Sequence, residues 1–228
     1  MHYYSLMKHL SLVTAILLLL CFSSSAQQTP APDDGAVKDG VYTNTFFGFN
    51  FTYPKDWVVH GEATNARIKE LGKEKTTKSG ALSEESAEVM FKNTYQLLTV
   101  FRHPVGTPGI AINPAVLVIA ENVAHAPGIT SGREYLLNVR QLMVKTGAQP
   151  TNHEPVEVSF SGRRFFRDDY RIEANAVRLT QSMFVNVTKG YALAFGFIHE
   201  DQKSVDEIAR TMDTFKLTAA PAVTSQRP

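Results

Sequence analysis

The stretch EPVEVSFSGRRFFRDDYRIEANAVRLTQSMFVNVTKGYALAFGF, residues 154–197, decides the fold. Its apolar side chains follow a two-residue period. Val156, Val158 and Phe160 form one run, and Phe166, Tyr170 and Ile172 a second. Val177, Leu179, Met183, Val185 and Val187 make the third, and Tyr191, Leu193, Phe195 and Phe197 the fourth. Period two marks strands that turn one face to a core. Lys189-Gly190 is a tight-turn pair, so the four runs predict an antiparallel meander.

Immediately downstream the period changes to that of a helix. Val205, Ile208, Ala209 and Met212 fall on one stripe between about Ser204 and Asp213, and Ser204 with Glu207 has the spacing of a capping box. Upstream, Ser131 and Glu134 open another helix in the same way, and Gly147 supplies its C-terminal stop. Ser83 is placed to cap a helix carrying Ala87, Met90 and Phe91, and Thr64 to Lys75 predicts a short charged helix with Ile68 and Leu71 on one face. Tyr95 to Arg102 and Ala115 to Glu121 read as strands, the second apolar on both faces and hence central. The segment between them, with three prolines and two glycines in residues 103–114, reads as an irregular loop. Val41 to Tyr53 reads as a hairpin in which Phe47, Phe49, Phe51 and Tyr53 alternate until Pro54 ends the ladder. Antiparallel strands, about six or more, with helices on the sheet faces make an α+β domain.

Composition sets the outer limits. The 228 residues are 43% hydrophobic and 20% charged, which is globular rather than disordered or fibrous. Lys and Arg together number 23 against 22 for Asp and Glu, leaving no charge excess with which to hold nucleic acid or an anionic membrane. Met1 to Ala26 has the form of a secretory leader. Lys8 and His9 precede the apolar run Leu10 to Phe22, and Ser24-Ser25-Ala26 offers a cleavage point after Ala26. The run is shorter than the roughly 20 residues needed to cross hydrocarbon, so retention as a membrane anchor is the weaker alternative. The expected location is therefore secreted or periplasmic, with no stable membrane insertion once the leader is removed. The chain's single cysteine, Cys21, lies in the leader, so the remainder can have no disulfide, thiol nucleophile or thiolate metal site. Residues 27–40 read as a flexible lead-in, residues 41–218 as one domain, and residues 219–228 as a disordered tail.

The opening of that domain carries a resemblance. Val41-Tyr42-Thr43-Asn44 followed by Phe47-Gly48-Phe49-Asn50-Phe51-Thr52-Tyr53-Pro54-Lys55-Asp56-Trp57 resembles the start of PsbP-like domains, relatives of the extrinsic photosystem II subunit. Their fold is shared with a eukaryotic Ran-binding import factor. The far end agrees, with Gly190-Tyr191-Ala192-Leu193 running through Phe197, then a helix leading into Thr214-Phe215-Lys216-Leu217. The resemblance implies a fold and an accessory or binding role, and it brings no catalytic residues with it.

Motif chemistry is sparse. The sequence has no G-x-S-x-G, no phosphate loop and no H-E-x-x-H. The histidines beyond the leader are His60, His103, His125, His153 and His199, and no two are four apart on a helix. His199-Glu200-Asp201 is the densest carboxylate–histidine cluster. It supports an alternative reading as a metal-dependent or hydrolytic enzyme, though Asp201 serves equally well as a turn residue. Asp168 and Asp169 are adjacent in a strand and must point to opposite faces, so they cannot share a proton.

The sharper feature is a row of charge. Arg163, Arg167, Asp169, Arg171 and Glu173 alternate along one strand, and Arg178 falls among the polar positions of the next. Such a face binds an anionic ligand or an acidic partner if its arginines are free. It is only a solvated surface if they pair across the strands. The aromatic run Phe46 to Trp57 reads as core, or as the lining of an apolar-ligand cleft. The expectation is an exported, non-catalytic binding domain without a cofactor, its partner a protein or a small ligand.

Overall fold

The computed structural model describes residues 31–174, 177–200 and 202–218. The expected leader 1–26, its cleavage point and the tail 219–228 lie outside these residues. In chain order the first half forms β1 (Ala36–Lys38), β2 (Val41–Asn44), β3 (Phe49–Thr52), β4 (Val58–Val59), α1 (Glu62–Lys78), α2 (Glu84–Lys92), β5 (Thr94–Phe101) and β6 (Ala115–Asn122). The second half forms α3 (Gly132–Lys145), β7 (Gln149–Pro150), β8 (Val156–Phe160), β9 (Arg163–Ala174), β10 (Val177–Thr188), β11 (Tyr191–His199), α4 (Gln202–Asp213) and β12 (Lys216–Leu217). The fold is α+β.

The expected meander is present. β8 pairs with β9, β9 with β10 and β10 with β11, all antiparallel, and Lys189 and Gly190 both take positive φ in the last turn. β11 continues into β6, and β6 into β5 and the short β4, so β6 lies inside the sheet as its two-sided apolar pattern predicts. A second, four-stranded sheet has the order β1-β2-β3-β12.

β11 explains why two layers can sit on one sheet. Its alternation sends Leu193, Phe195 and Phe197 to a core shared with Phe49, Phe51 and Phe215 of the small sheet and its approach. Ala192 and Ala194 point the other way, against Tyr135 and Leu136 of α3. Small side chains on that face let the helix come close. The closest approach is at Gly132, where an added Cβ would stand 2.2 Å from the Val185 carbonyl oxygen. Because the obstacle is backbone, Gly132→Ala must shift the helix, and it is expected to cost at least about 1–3 kcal/mol. A thermal transition within a degree of the parent would show that α3 is not so tightly seated.

Three details differ from the sequence reading. The lead-in is not free, because Ala36–Lys38 pairs with Lys38↔Val41 register on β2 and the Asp33 carboxylate accepts from the Phe46 N–H at 3.0 Å and the Thr45 hydroxyl at 2.6 Å. An acid two residues from a glycine suits a turn rather than a coil, and its Oδ1 accepts from Gly35 N–H at 3.0 Å. α1 is longer than expected at both ends, and it leaves Leu71 exposed while burying Thr76. α4 begins at Gln202, so Ser204 lies within the helix rather than capping it. The capping predictions at Ser83 and Ser131 hold, their hydroxyls accepting from Ser86 N–H and Arg133 N–H.

Candidate functional site

The row of charge is mostly self-compensating. β9 and β10 align Glu173 with Arg178, Arg171 with Thr180 and Asp169 with Ser182. Arg178 Nε donates to Glu173 at 2.9 Å and Arg167 Nε to Asp169 at 3.0 Å. The Arg167 guanidinium also lies over the Phe184 ring, 5.2 Å from its centre. Arg171 is exposed, with no ion pair among the described residues. Arg163 is a correction. It leaves the exposed row, is partly buried at the join of the two sheets, and donates to the Phe47 carbonyl at 3.3 Å. Burial there lowers its pKa. Alternation alone cannot reveal that a second sheet covers one end of the same face.

Two buried acids have structural partners. Asp168, on the α3 side of β9 and fully buried, receives two bonds from Arg140, at 2.6 and 3.0 Å, and one from the Tyr170 hydroxyl at 2.6 Å. Asp168 and Asp169 thus face opposite ways, as expected. Arg140 also donates to the His153 carbonyl at 2.6 Å, tying the helix to the segment before β8. Sequence reasoning fixed the ends of α3 but missed Arg140, although it stands one turn from Leu136 on the packed side. Glu121 accepts from the Tyr135 hydroxyl at 2.7 Å, and its carboxyl is raised by burial, offset in part by that bond and by His125.

Of the His199-Glu200-Asp201 cluster, Asp201 lies outside the described residues. His199 Nε2 is 3.3 Å from the Ser182 hydroxyl. Ser182 is nine-tenths buried or more, so a substrate cannot reach it. Among the described residues, no three His, Cys, Asp or Glu side chains gather as a metal site would require.

The aromatic run is core, as read: Phe47, Phe49, Phe51, Tyr53 and Trp57 are buried. Its last members, however, border a cavity of about 310 Å³ between the end of β3 and α4. The lining is Thr52, Tyr53 and Pro54 on one side and Glu207, Arg210, Thr211 and Thr214 on the other. Thr214 fixes the two sides together, its hydroxyl accepting from Thr52 N–H at 2.8 Å and donating to the Thr211 carbonyl at 2.7 Å. The Thr211 hydroxyl is likewise spent, donating to the Glu207 carbonyl at 3.0 Å. Glu207 is held by Arg102 at 2.5 Å, and the Arg102 guanidinium lies 5.4 Å from the centre of the Trp57 ring.

Two polar groups of the lining remain. Tyr53 is only 5% exposed, its hydroxyl is not one of the buried polar atoms left unpartnered, and burial raises its pKa. Arg210 uses Nε on the Asp206 carbonyl at 3.0 Å, and its other nitrogens meet no carboxylate among the described residues. Larger hollows lie between α1 and α2 and beside Asn65, but their linings are mainly charged and polar side chains open to water. Ligand sites are instead mostly apolar, with a few placed polar groups. The sequence held one signal for the cavity: Tyr53 ends an inward alternation just where Pro54 stops the strand.

No protein-family model and no curated protein matches this chain. Its structure is similar to several solved ones. LpqN of Mycobacterium tuberculosis, described as involved in cell envelope biogenesis, is 11% identical with a TM-score of 0.44, over 75% of this chain and 83% of that one. The cyanobacterial PsbP of Synechocystis is 13% identical with a TM-score of 0.42, over 80% of this chain and 95% of that one. A protein of Bacteroides thetaiotaomicron is 12% identical with a TM-score of 0.40, over 75% of this chain. The chain spans about half, 46%, of that Bacteroides protein's length. The second of these is a PsbP protein, the family that the opening motif resembles. No helix of the described residues is long and apolar enough to cross a membrane.

Proposed function

We propose that this protein is a non-catalytic binding domain, exported from the cytoplasm, that holds a small molecule in the cavity between β3 and α4. The observation that carries this reading is the cavity itself, walled by the buried Tyr53 and by Pro54, with Arg210 at its lining. Ligand sites have that make-up, mostly apolar with a few placed polar groups. Support also comes from the acids elsewhere, since Asp168 and Glu121 are taken up in fastening α3 to the sheet. Export rests on the form of residues 1–26.

Native mass spectrometry of protein freshly purified from its own host tests the proposal. A bound small molecule is expected, and filling the cavity from its rim with Thr52→Trp is expected to release it. An unliganded mass, together with no bound component from extracts at micromolar sensitivity, would remove the reading. Elemental analysis in the same preparation separates it from the metal-enzyme alternative at His199 and Glu200, which requires a stoichiometric metal.

A further inference from the structure

We infer that the ligand of the β3–α4 cavity is a small carboxylate with an apolar body. The inference rests on the cavity being a binding site, and adds the chemistry of what fills it. Among the described residues, the lining's unpaired charge is a donor: the Arg210 guanidinium has no acceptor at all, and the Tyr53 phenol can donate beside it. A ligand group facing Arg210 must therefore be an acceptor, and a charged one makes the stronger bonds. Arg210 has already spent Nε on the Asp206 carbonyl, which leaves its two terminal nitrogens for the ligand.

The charge balance favours one negative charge. Arg102 neutralises Glu207, so that carboxylate does not cancel Arg210 across the cavity. Two donor groups satisfy a carboxylate, whereas a phosphate dianion needs more donors than this lining leaves free. The remaining wall is Tyr53, Pro54 and three threonines, of which Thr211 and Thr214 have their hydroxyls bonded to backbone carbonyls. That surface takes a ring or a short chain. The volume, about 310 Å³, stands at the small end of ligand sites.

Titration calorimetry of the full chain against benzoate and octanoate, each beside its neutral amide, tests the inference. The carboxylates are expected to bind at least tenfold tighter than the amides. Arg210→Gln, at an exposed position where folding is not at stake, is expected to bring octanoate down to the level of octanamide. Tyr53→Phe is expected to weaken the carboxylates about fivefold and the amides less. Because Trp57 is the chain's single tryptophan and lies under the arginine that holds Glu207, its emission provides an independent readout of the same binding. Amides binding as tightly as acids, or acids indifferent to Arg210→Gln, would overturn the carboxylate assignment while leaving the cavity a binding site. If neither acids nor amides bind at millimolar concentration, and host-purified protein carries nothing, both readings fall.

Discussion

Asp168→Ala is expected to destabilise the protein by about 3–5 kcal/mol, the range for removing one partner of a buried ion pair. The cost comes less from the lost attraction than from what stays behind. Arg140 is largely buried beneath α3, and without Asp168 its guanidinium keeps only the His153 carbonyl, while the Tyr170 hydroxyl loses its acceptor. For a domain of this size each kcal/mol moves the midpoint by roughly 2–4 °C, so thermal unfolding is expected to fall by about 6–20 °C. The double replacement Arg140→Met with Asp168→Leu is expected to recover most of the loss, since a packed apolar pair substitutes for a buried ionic one at little cost. A single mutant within 1 kcal/mol of the parent would mean that water reaches Arg140 and the pair is not a fastening. Rescue by the double mutant also separates a structural pair from a functional acid, which leucine could not replace.

Phe195→Ala is expected to cost a comparable amount, about 3–5 kcal/mol. Its ring is fully buried and meets four others: Phe49 at 5.4 Å, Phe51 at 5.7 Å, and Phe165 and Phe215 each at 5.9 Å between centres. Three of these pairs are edge-on at 74° or less and the fourth is nearly perpendicular, geometries that add to plain burial. The rings come from both sheets, so the void would open where one sheet rests on the other. Total stability of an ordinary domain is only about 5–15 kcal/mol, and near-ultraviolet circular dichroism should lose intensity along with the midpoint. A loss under about 2 kcal/mol with an unchanged aromatic spectrum would show that the sheets can close over the gap.

The contrast between these two positions explains what was legible in the sequence. Phe195 lies in an unbroken alternation, and period two is a local property of the chain. The meander, its final turn and the inward aromatics follow from it directly. Asp168 and Arg140 sit on different elements, and their pairing depends on how α3 lies across the sheet, which no local pattern encodes. Arg163 fails for the same reason in reverse: it keeps the alternation of its strand but meets a carbonyl of the second sheet. Phe165 was the visible hint, a large apolar side chain interrupting a charged row, and it marks where the small sheet covers that face. The cavity is a product of two distant segments, residues 52–54 and 207–214, so neither half declares it alone.

The pairing of β12 with β3 has a consequence for synthesis. Leu217 lies opposite Phe49 and Lys216 opposite Asn50, so strands made near the beginning of the chain wait for a partner made near its end. Closing so long a loop is slow compared with local contacts. A nascent polypeptide that has not yet reached residues 215–217 cannot complete the small sheet or seat Phe215, and it stays unfinished rather than locked. An unlocked chain is also the form that a narrow translocation pore can thread.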